Sequence, residues 1–305
     1  MTIHLTDTTT SKIDATLTQA RHRLGGPAVG MVLTLLIITD EAEQYDAVRA
    51  AEQAAREHPS RVLVVIARDG HAEPRLDAEL RIGESGPGET LVLRLYGDLG
   101  KHADSVVTPL LLTDTPVVAW WTGPGPETPG RDPLGLVAQR RITDVAAGGR
   151  SPESELARRA PAYLPGDTDF AWTRLTPWRT LLAATLDQPF AEISGGVVGA
   201  AKHNPSGDLL AAWLSARLGI PVHREVTDGP GVTEVRLTTA DGEIALTRPD
   251  GRLATLTRPG DPDRPVALHR RTTSELLAEE LRRLDPDEIY AESLRELGTR
   301  ETVSA

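Results

Sequence analysis

VGMVLTLLIITDEAEQYDAVRAAEQAAREHPSRVLVVIA, residues 29–67, decides the fold class. Val29–Ile38 is continuously apolar rather than alternating, the pattern of a strand buried on both faces. Asp40 is a good helix N-cap with Glu43 three residues on, and Tyr45, Val48 and Ala55 mark the expected buried face of the helix that follows. Pro59 stops that helix, and Arg61–Ala67 is a second apolar strand. Strand, helix and strand in about forty residues predict a right-handed parallel unit, hence an α/β domain.

Working outward, a helix is expected over Ser11–Leu24, closed by Gly25 and Gly26. Leu76, Ala78, Leu80 and Ile82 alternate, as do Leu91, Leu93 and Leu95, so two strands follow the parallel unit. Leu99, Ala103, Val106, Val107 and Leu110 have helical spacing and lead to a strand at Pro116–Trp121. Gly123–Asp132 reads as a surface loop, and Pro133–Val145 and Pro152–Ala160 as short helical pieces. A second, α+β domain is expected from Gly166, giving domains at 1–165 and 166–305. Thr176 and Pro177 look like a helix start, with Trp178, Leu181, Leu182 and Leu186 as its buried stripe. Ile193–Ala201 predicts a strand, Ser206–Leu218 a helix ending at Gly219, and Val222–Val226 another strand. Asp241-Gly242 and Asp250-Gly251 then predict a three-stranded antiparallel meander. Two helices close the chain, with capping-box spacing at Thr272/Glu275 and Asp285/Glu288.

Composition narrows the chemistry. The 305 residues include no cysteine, which removes disulfides, thiolate nucleophiles and cysteine-ligated zinc. Net charge is −11, and no basic patch stands out, so nucleic acid is not an expected partner. The polar N-terminus lacks a signal segment, and the longest apolar run is half of a membrane span, so the expectation is a cytoplasmic protein with no membrane partner. Only Lys12, Lys101 and Lys202 are lysine, which leaves little room for a phosphate-loop or Schiff-base lysine.

Candidate sites were weighed one by one. A dinucleotide fold needs glycines at its first strand–helix turn, whereas here the turn is Thr39-Asp40-Glu41-Ala42-Glu43, whose carboxylates would repel phosphate. GESGPG at Gly83–Gly88 has the wrong spacing for a nucleophile elbow and reads as a turn. Asp167 and Asp169 have the spacing of a divalent-metal pair, but Asp261/Asp263 and Asp285/Asp287 share it, so no metal or other cofactor is expected. A weak anion site, Lys202, Ser206 and Gly207, lies between a strand and a helix N-terminus; an ordinary capped helix start explains it as well. No catalytic constellation is complete. The aromatic residues say more: four of the five tryptophans fall at Trp120-Trp121 and at Trp172 and Trp178, interleaved with arginines. Trp and Arg dominate interface energies, so Trp121, Arg140, Arg141, Asp167, Asp169, Trp172, Arg174 and Arg179 are the expected partner-binding residues, with a tryptophan-lined domain core as the competing account.

HPSRVLVV (58–65), LVLRLYGDL (91–99), PLLLTDTPVVAWW (109–121), DPLGLVAQRRITD (132–144) and GDTDFAWTRLTPWRTLLAATLDQ (166–188) resemble the OpcA family of glucose-6-phosphate dehydrogenase assembly proteins. LLAAWL (209–214) and LLAEELRRLDPDEIY (276–290) continue the likeness, and the Arg- and Ala-rich composition is most similar to actinobacterial members. The resemblance implies a non-catalytic assembly factor or allosteric activator of that dehydrogenase in the oxidative pentose phosphate pathway. It departs from relatives thought to be controlled through cysteines, since this chain has none. The alternative is a sugar-phosphate or nucleotide-sugar enzyme or sensor using Asp167/Asp169 or the Lys202–Gly207 turn.

Overall fold

The computed structural model describes residues 1–24, 30–68, 70–83, 88–148 and 151–304. The expected Gly25–Gly26 cap and residues 84–87 of the GESGPG turn lie outside them. Among the described residues no helix is long and apolar enough to cross a membrane.

The parallel unit forms as its sequence requires. Strand β1 is Thr2–Leu5, β2 is Leu33–Thr39 and β3 is Ser60–Ala67, with the helix Gln44–Ala54 between the last two. β2 and β3 pair in parallel from Leu33↔Ser60 to Thr39↔Ile66. The helix buries Ala47, Val48, Ala50, Ala51 and Ala54, a face of small residues. Tyr45 does not join that face: it is 66% exposed, with Arg49 over its ring, because the helix begins only at Gln44 and its alanine stripe sets the contact. Strands β4 (Arg75–Ile82) and β5 (Glu89–Tyr96) pair antiparallel, then β6 (Val117–Trp121) and β7 (Arg140–Thr143) add on the other side of β2. With β8 (Asp167–Asp169) the sheet order is β1-β4-β5-β3-β2-β6-β7-β8.

Three local expectations change. Leu99–Leu110 is broken into a 3-10 turn at Gly97–His102, one α-turn at Ala103–Val107 and a second 3-10 turn at Thr108–Leu110. Only Pro133–Leu136 of the expected helical stretch is helix; Arg140–Thr143 is strand, its paired arginines turned to separate partners. The meander has four strands rather than three, since Arg264–Ala267 pairs as an edge strand, the place where its Pro265 is tolerated.

The second sheet runs β10-β9-β11-β12-β13-β14, from β9 (Ile193–Ala200) and β10 (Val222–Val226) through β11 (Val232–Thr239), β12 (Gly242–Thr247), β13 (Leu253–Thr257) and β14 (Arg264–Ala267). The β9–β10 pair is parallel, joined by the helix Pro205–Leu218, which ends on Gly219 in the left-handed conformation. The remaining pairs are antiparallel. The chain therefore combines a mostly parallel α/β sheet with a second, mostly antiparallel sheet and terminal helices.

The two compact units are not contiguous in sequence. The first is Met1–Thr143, Leu164–Asp167 and Thr273–Pro286; the second is Asp144–Tyr163, Thr168–Thr272 and Asp287–Ala305. The two closing helices are accordingly divided: Thr273–Arg282 packs beside Gln44–Ala54, while Glu288–Ser304 packs on Pro205–Leu218. Each unit has its own apolar core, one around Leu36, Leu63 and Leu93, the other around Trp178, Leu210 and Val235.

Within the first unit Glu89 is 4% exposed and accepts from Arg21 at 2.8 Å and from the equally buried Arg61 at 3.2 Å. Burial pulls the Arg61 pKa down, while the hydrogen bond to Glu89 raises that of Arg21. Glu89→Gln leaves Arg61 charged and uncompensated, so denaturant unfolding should show a loss of about 3 kcal/mol. A loss below about 1 kcal/mol would mean that water reaches the pair.

Candidate functional site

Gly166–Arg179 crosses from the first unit to the second, and each part of it is anchored in its own unit. Gly166 adopts φ +97°, and a Cβ there would meet the Gln139 carbonyl oxygen at 2.3 Å. Only glycine fits, because both the backbone conformation and the close approach exclude a side chain. That approach lets the Arg141 amide donate to the Gly166 carbonyl at 2.9 Å. The Arg141 guanidinium then donates to Asp167, to Ala138 O at 2.8 Å and to Pro165 O. The other Asp167 oxygen accepts from the Leu164 amide at 2.9 Å. Arg140, next along β7, faces the opposite way and bonds Glu280 and, at 2.9 Å, the Asp285 carbonyl.

In the second unit Asp169 is fully buried. Its carboxylate accepts from the Val145 amide at 3.1 Å and the Ala171 amide at 2.8 Å, and Arg159 lies 3.6 Å away. The Ala171 bond caps the short helix Phe170–Thr173. Trp172 donates its indole N–H to Asp287 at 2.8 Å, packs 5.6 Å from Tyr290, and carries Arg179 over its face at 3.7 Å. Arg174 forms a two-pronged pair with Asp144, at 2.8 and 2.6 Å. Burial opposes its charge, but the Asp144 bond, with Asp169 nearby, holds its pKa above the ordinary value.

The sequence grouped these residues as an open docking patch, whereas their side chains are largely internal. Trp121, Arg140, Arg141, Asp167, Asp169 and Trp172 are all buried, and only Arg174 and Arg179 keep a partly exposed edge. The physical reason is reciprocity: each buried arginine finds a carboxylate or a tryptophan face within its own unit. Asp167 and Asp169 are likewise committed to amides and guanidinium groups, so no open carboxylate pair faces a cation. Among the described residues no group of three or more His, Cys, Asp or Glu has metal-binding geometry.

Of the weak anion candidates, Ser206 lines a cavity of about 510 Å³ in the second unit, while Lys202 is exposed outside that wall. The Gly207 amide is taken by the Asn204 side chain at 3.0 Å, and the Arg224 guanidinium fills the space over the Gly207 Cα. The cavity wall also carries Arg174, Trp178, Asn204, Arg248 and Arg270. Sequence reading missed Arg248 and Arg270, since they stand on either side of a meander whose closure brings them together; the only signal was Arg248-Pro249 at a strand end.

The strand–helix turn after β2 also has its acids engaged. Asp40 caps the Ala42 and Glu43 amides, Glu41 pairs with Arg94, and Glu43 accepts from Thr122 at 2.8 Å. The Arg94 bond holds the Glu41 carboxyl below its usual range.

Residues 51–161 match the family model described as the glucose-6-phosphate dehydrogenase subunit N-terminal domain, and residues 165–294 the one described as the C-terminal domain of that subunit. No curated protein matches in sequence. Among solved structures, a 3-ketoreductase from Actinomadura kijaniata bound to TDP-benzene and NADP has TM-score 0.49 and 13% identity over 90% of this chain and 97% of that one. Biliverdin reductase from Synechocystis has TM-score 0.46 and 9% identity over 88% of this chain and 98% of that one. Likeness at this level does not extend to chemistry.

Gly166→Ala should destabilise the protein by at least about 2 kcal/mol, combining a disfavoured positive φ with a backbone clash. Gly219→Ala, with φ +66° but open space around its Cβ, should cost only about 1 kcal/mol. Thermal or urea unfolding of the two variants checks the order; equal losses would refute the close approach at Gly166.

Proposed function

We propose that this chain, which belongs to the OpcA family of glucose-6-phosphate dehydrogenase assembly proteins, is a non-catalytic accessory subunit that binds that dehydrogenase and favours its active form. The observation that carries this reading is that both parts of the chain match domains of the dehydrogenase's subunit family, together spanning residues 51–294. The residues support it. At the β2 turn, where a dinucleotide fold presents glycines to pyrophosphate, this chain presents Asp40, Glu41 and Glu43. The acids and bases of the Gly166–Arg179 tract are neutralised by one another rather than arranged around a vacant reaction centre.

An activator must bind the active state of its partner more tightly than the inactive one. A tenfold preference requires only about 1.4 kcal/mol. Arg174 and Arg179 keep partly exposed edges and are the contacts we assign to the partner from the original group of eight. The other six act in this reading as the frame that holds those two in place. The cytoplasm, where the dehydrogenase and its substrates meet, is the place of action in this reading.

Purified dehydrogenase should co-elute with this protein on a sizing column and gain several-fold in kcat/KM when it is added. Arg179→Ala should reduce the gain while leaving the melting temperature within a few degrees, since the loss is one cation–π contact of about 1 kcal/mol. Separate elution together with unchanged kinetics would refute the accessory-subunit reading. Full activation by Arg179→Ala would refute only the assigned contact.

A further inference from the structure

The cavity in the second unit has an unusual charge balance. Arg248 is 5% exposed, yet its guanidinium bonds only the carbonyls of Leu268 and Val232, both at 2.8 Å, and faces the Trp178 ring at 5.0 Å. Its Nε is buried and makes no hydrogen bond. Among the described residues no carboxylate lies within ion-pair distance of Arg248 or of Arg270, the second arginine on the wall. Arg174 also reaches this cavity, but Asp144 neutralises it. Two positive charges are therefore left uncompensated at one site. Burial first, then the repulsion of Arg270, lowers the Arg248 pKa to about 10 against the opposing pull of Asp250. A buried, unpaired cation is costly to a fold, and bringing a second cation beside it adds to the cost.

We propose that this cavity is a binding site for a small phosphate monoester, held by Arg248 and Arg270. The charge count selects the ligand class, because two uncompensated guanidinium groups match one dianion. Neutral donors are present to complete the shell. Asn204 turns its carbonyl to the Gly207 amide, which leaves its NH2 group as a donor, and the Ser206 hydroxyl donates to the Ala171 carbonyl and can accept a phosphate proton. Leu175, Val232 and Leu268 line the same space, so the organic part of an ester has an apolar wall beside the charged one. The volume of about 510 Å³ is of the size that takes a small metabolite rather than a bare ion. The helix N-terminus is not what carries the site, since Asn204 already caps it.

This inference rests on the cavity and not on the dehydrogenase partner, so it can fail or stand by itself. Isothermal titration of the isolated full chain with inorganic phosphate, and with glycerol phosphate as a simple monoester, tests it at an ionic strength matched with chloride. The wild type should bind both, the ester more tightly, and its melting temperature should rise with phosphate but not with chloride. Arg270→Ala, at an exposed position that should not disturb folding, should weaken binding at least tenfold. Arg248→Gln should abolish it. Arg49→Ala, in the first unit, should leave it unchanged, which separates a site from general charge attraction. Absence of phosphate binding by the wild type, full affinity in Arg270→Ala, or an equal loss in Arg49→Ala would each overturn the proposal.

Discussion

The rest of the second unit depends on neutralising one carboxylate. Asp169 is fully buried, and a charge without water must be met by hydrogen bonds or a counter-ion. The Val145 and Ala171 amides and Arg159 meet it. Those three contacts fix the start of the short helix at Phe170, the chain entering at Val145 and the end of the helix Pro152–Arg159. From Ala171 the order propagates, because its carbonyl accepts from Ser206 in the first turn of Pro205–Leu218. Trp172 then ties the tract to the last helix through Asp287 and Tyr290. Asp167, two residues earlier, solves the same problem in the first unit with Arg141.

The first sheet shows why topology alone does not confer catalysis. β2 lies between β3 and β6, so the strand order reverses beside it, the place where open α/β sheets bind ligands. Here the ends of β2 and β6 are closed by Thr39, Thr122 and Glu43, which bond one another, and Glu41 is held by Arg94. Carboxylates take the space that a phosphate needs, and their negative charge is retained because arginine and threonine donors stabilise it. The same scaffold becomes a body for presenting surface rather than a nucleotide cradle.

Much of the architecture was legible because it rests on local rules. The uninterrupted apolar runs at Leu33–Ile38 and Val62–Ile66 announce buried parallel strands, and Gly219 and the Asp-Gly pairs announce a cap and turns. What escaped was decided by distant partners. Arg140 and Arg141 read as polar helix residues until Glu280 and Asp167 are supplied from elsewhere in the chain. Tyr45 reads as core by spacing, but a run of alanines outcompetes it for the close-packed face. The assignment of the two terminal helices to different units is a long-range outcome that no capping box encodes. The candidate site was half legible: the tract of Trp and Arg was evident, but its inward orientation follows from pairings that a linear reading cannot rank.

Arginine is the thread that joins the legible and the hidden parts. In the tract nearly every guanidinium closes on a carboxylate or a ring, which is the economical use of a charge inside a protein. Arg248 and Arg270 break that rule in a chain whose net charge is −11 and which therefore has acids to spare. A chain rich in carboxylates that keeps them away from one cationic cavity carries a local field opposite in sign to its overall one. Low dielectric walls focus such a field, and the anions repelled by the rest of the surface are attracted only at that mouth. The cost in stability is set against selectivity. A buried arginine opposite an acid would have stabilised the unit, but only an arginine left without one can discriminate a dianion from the water it displaces.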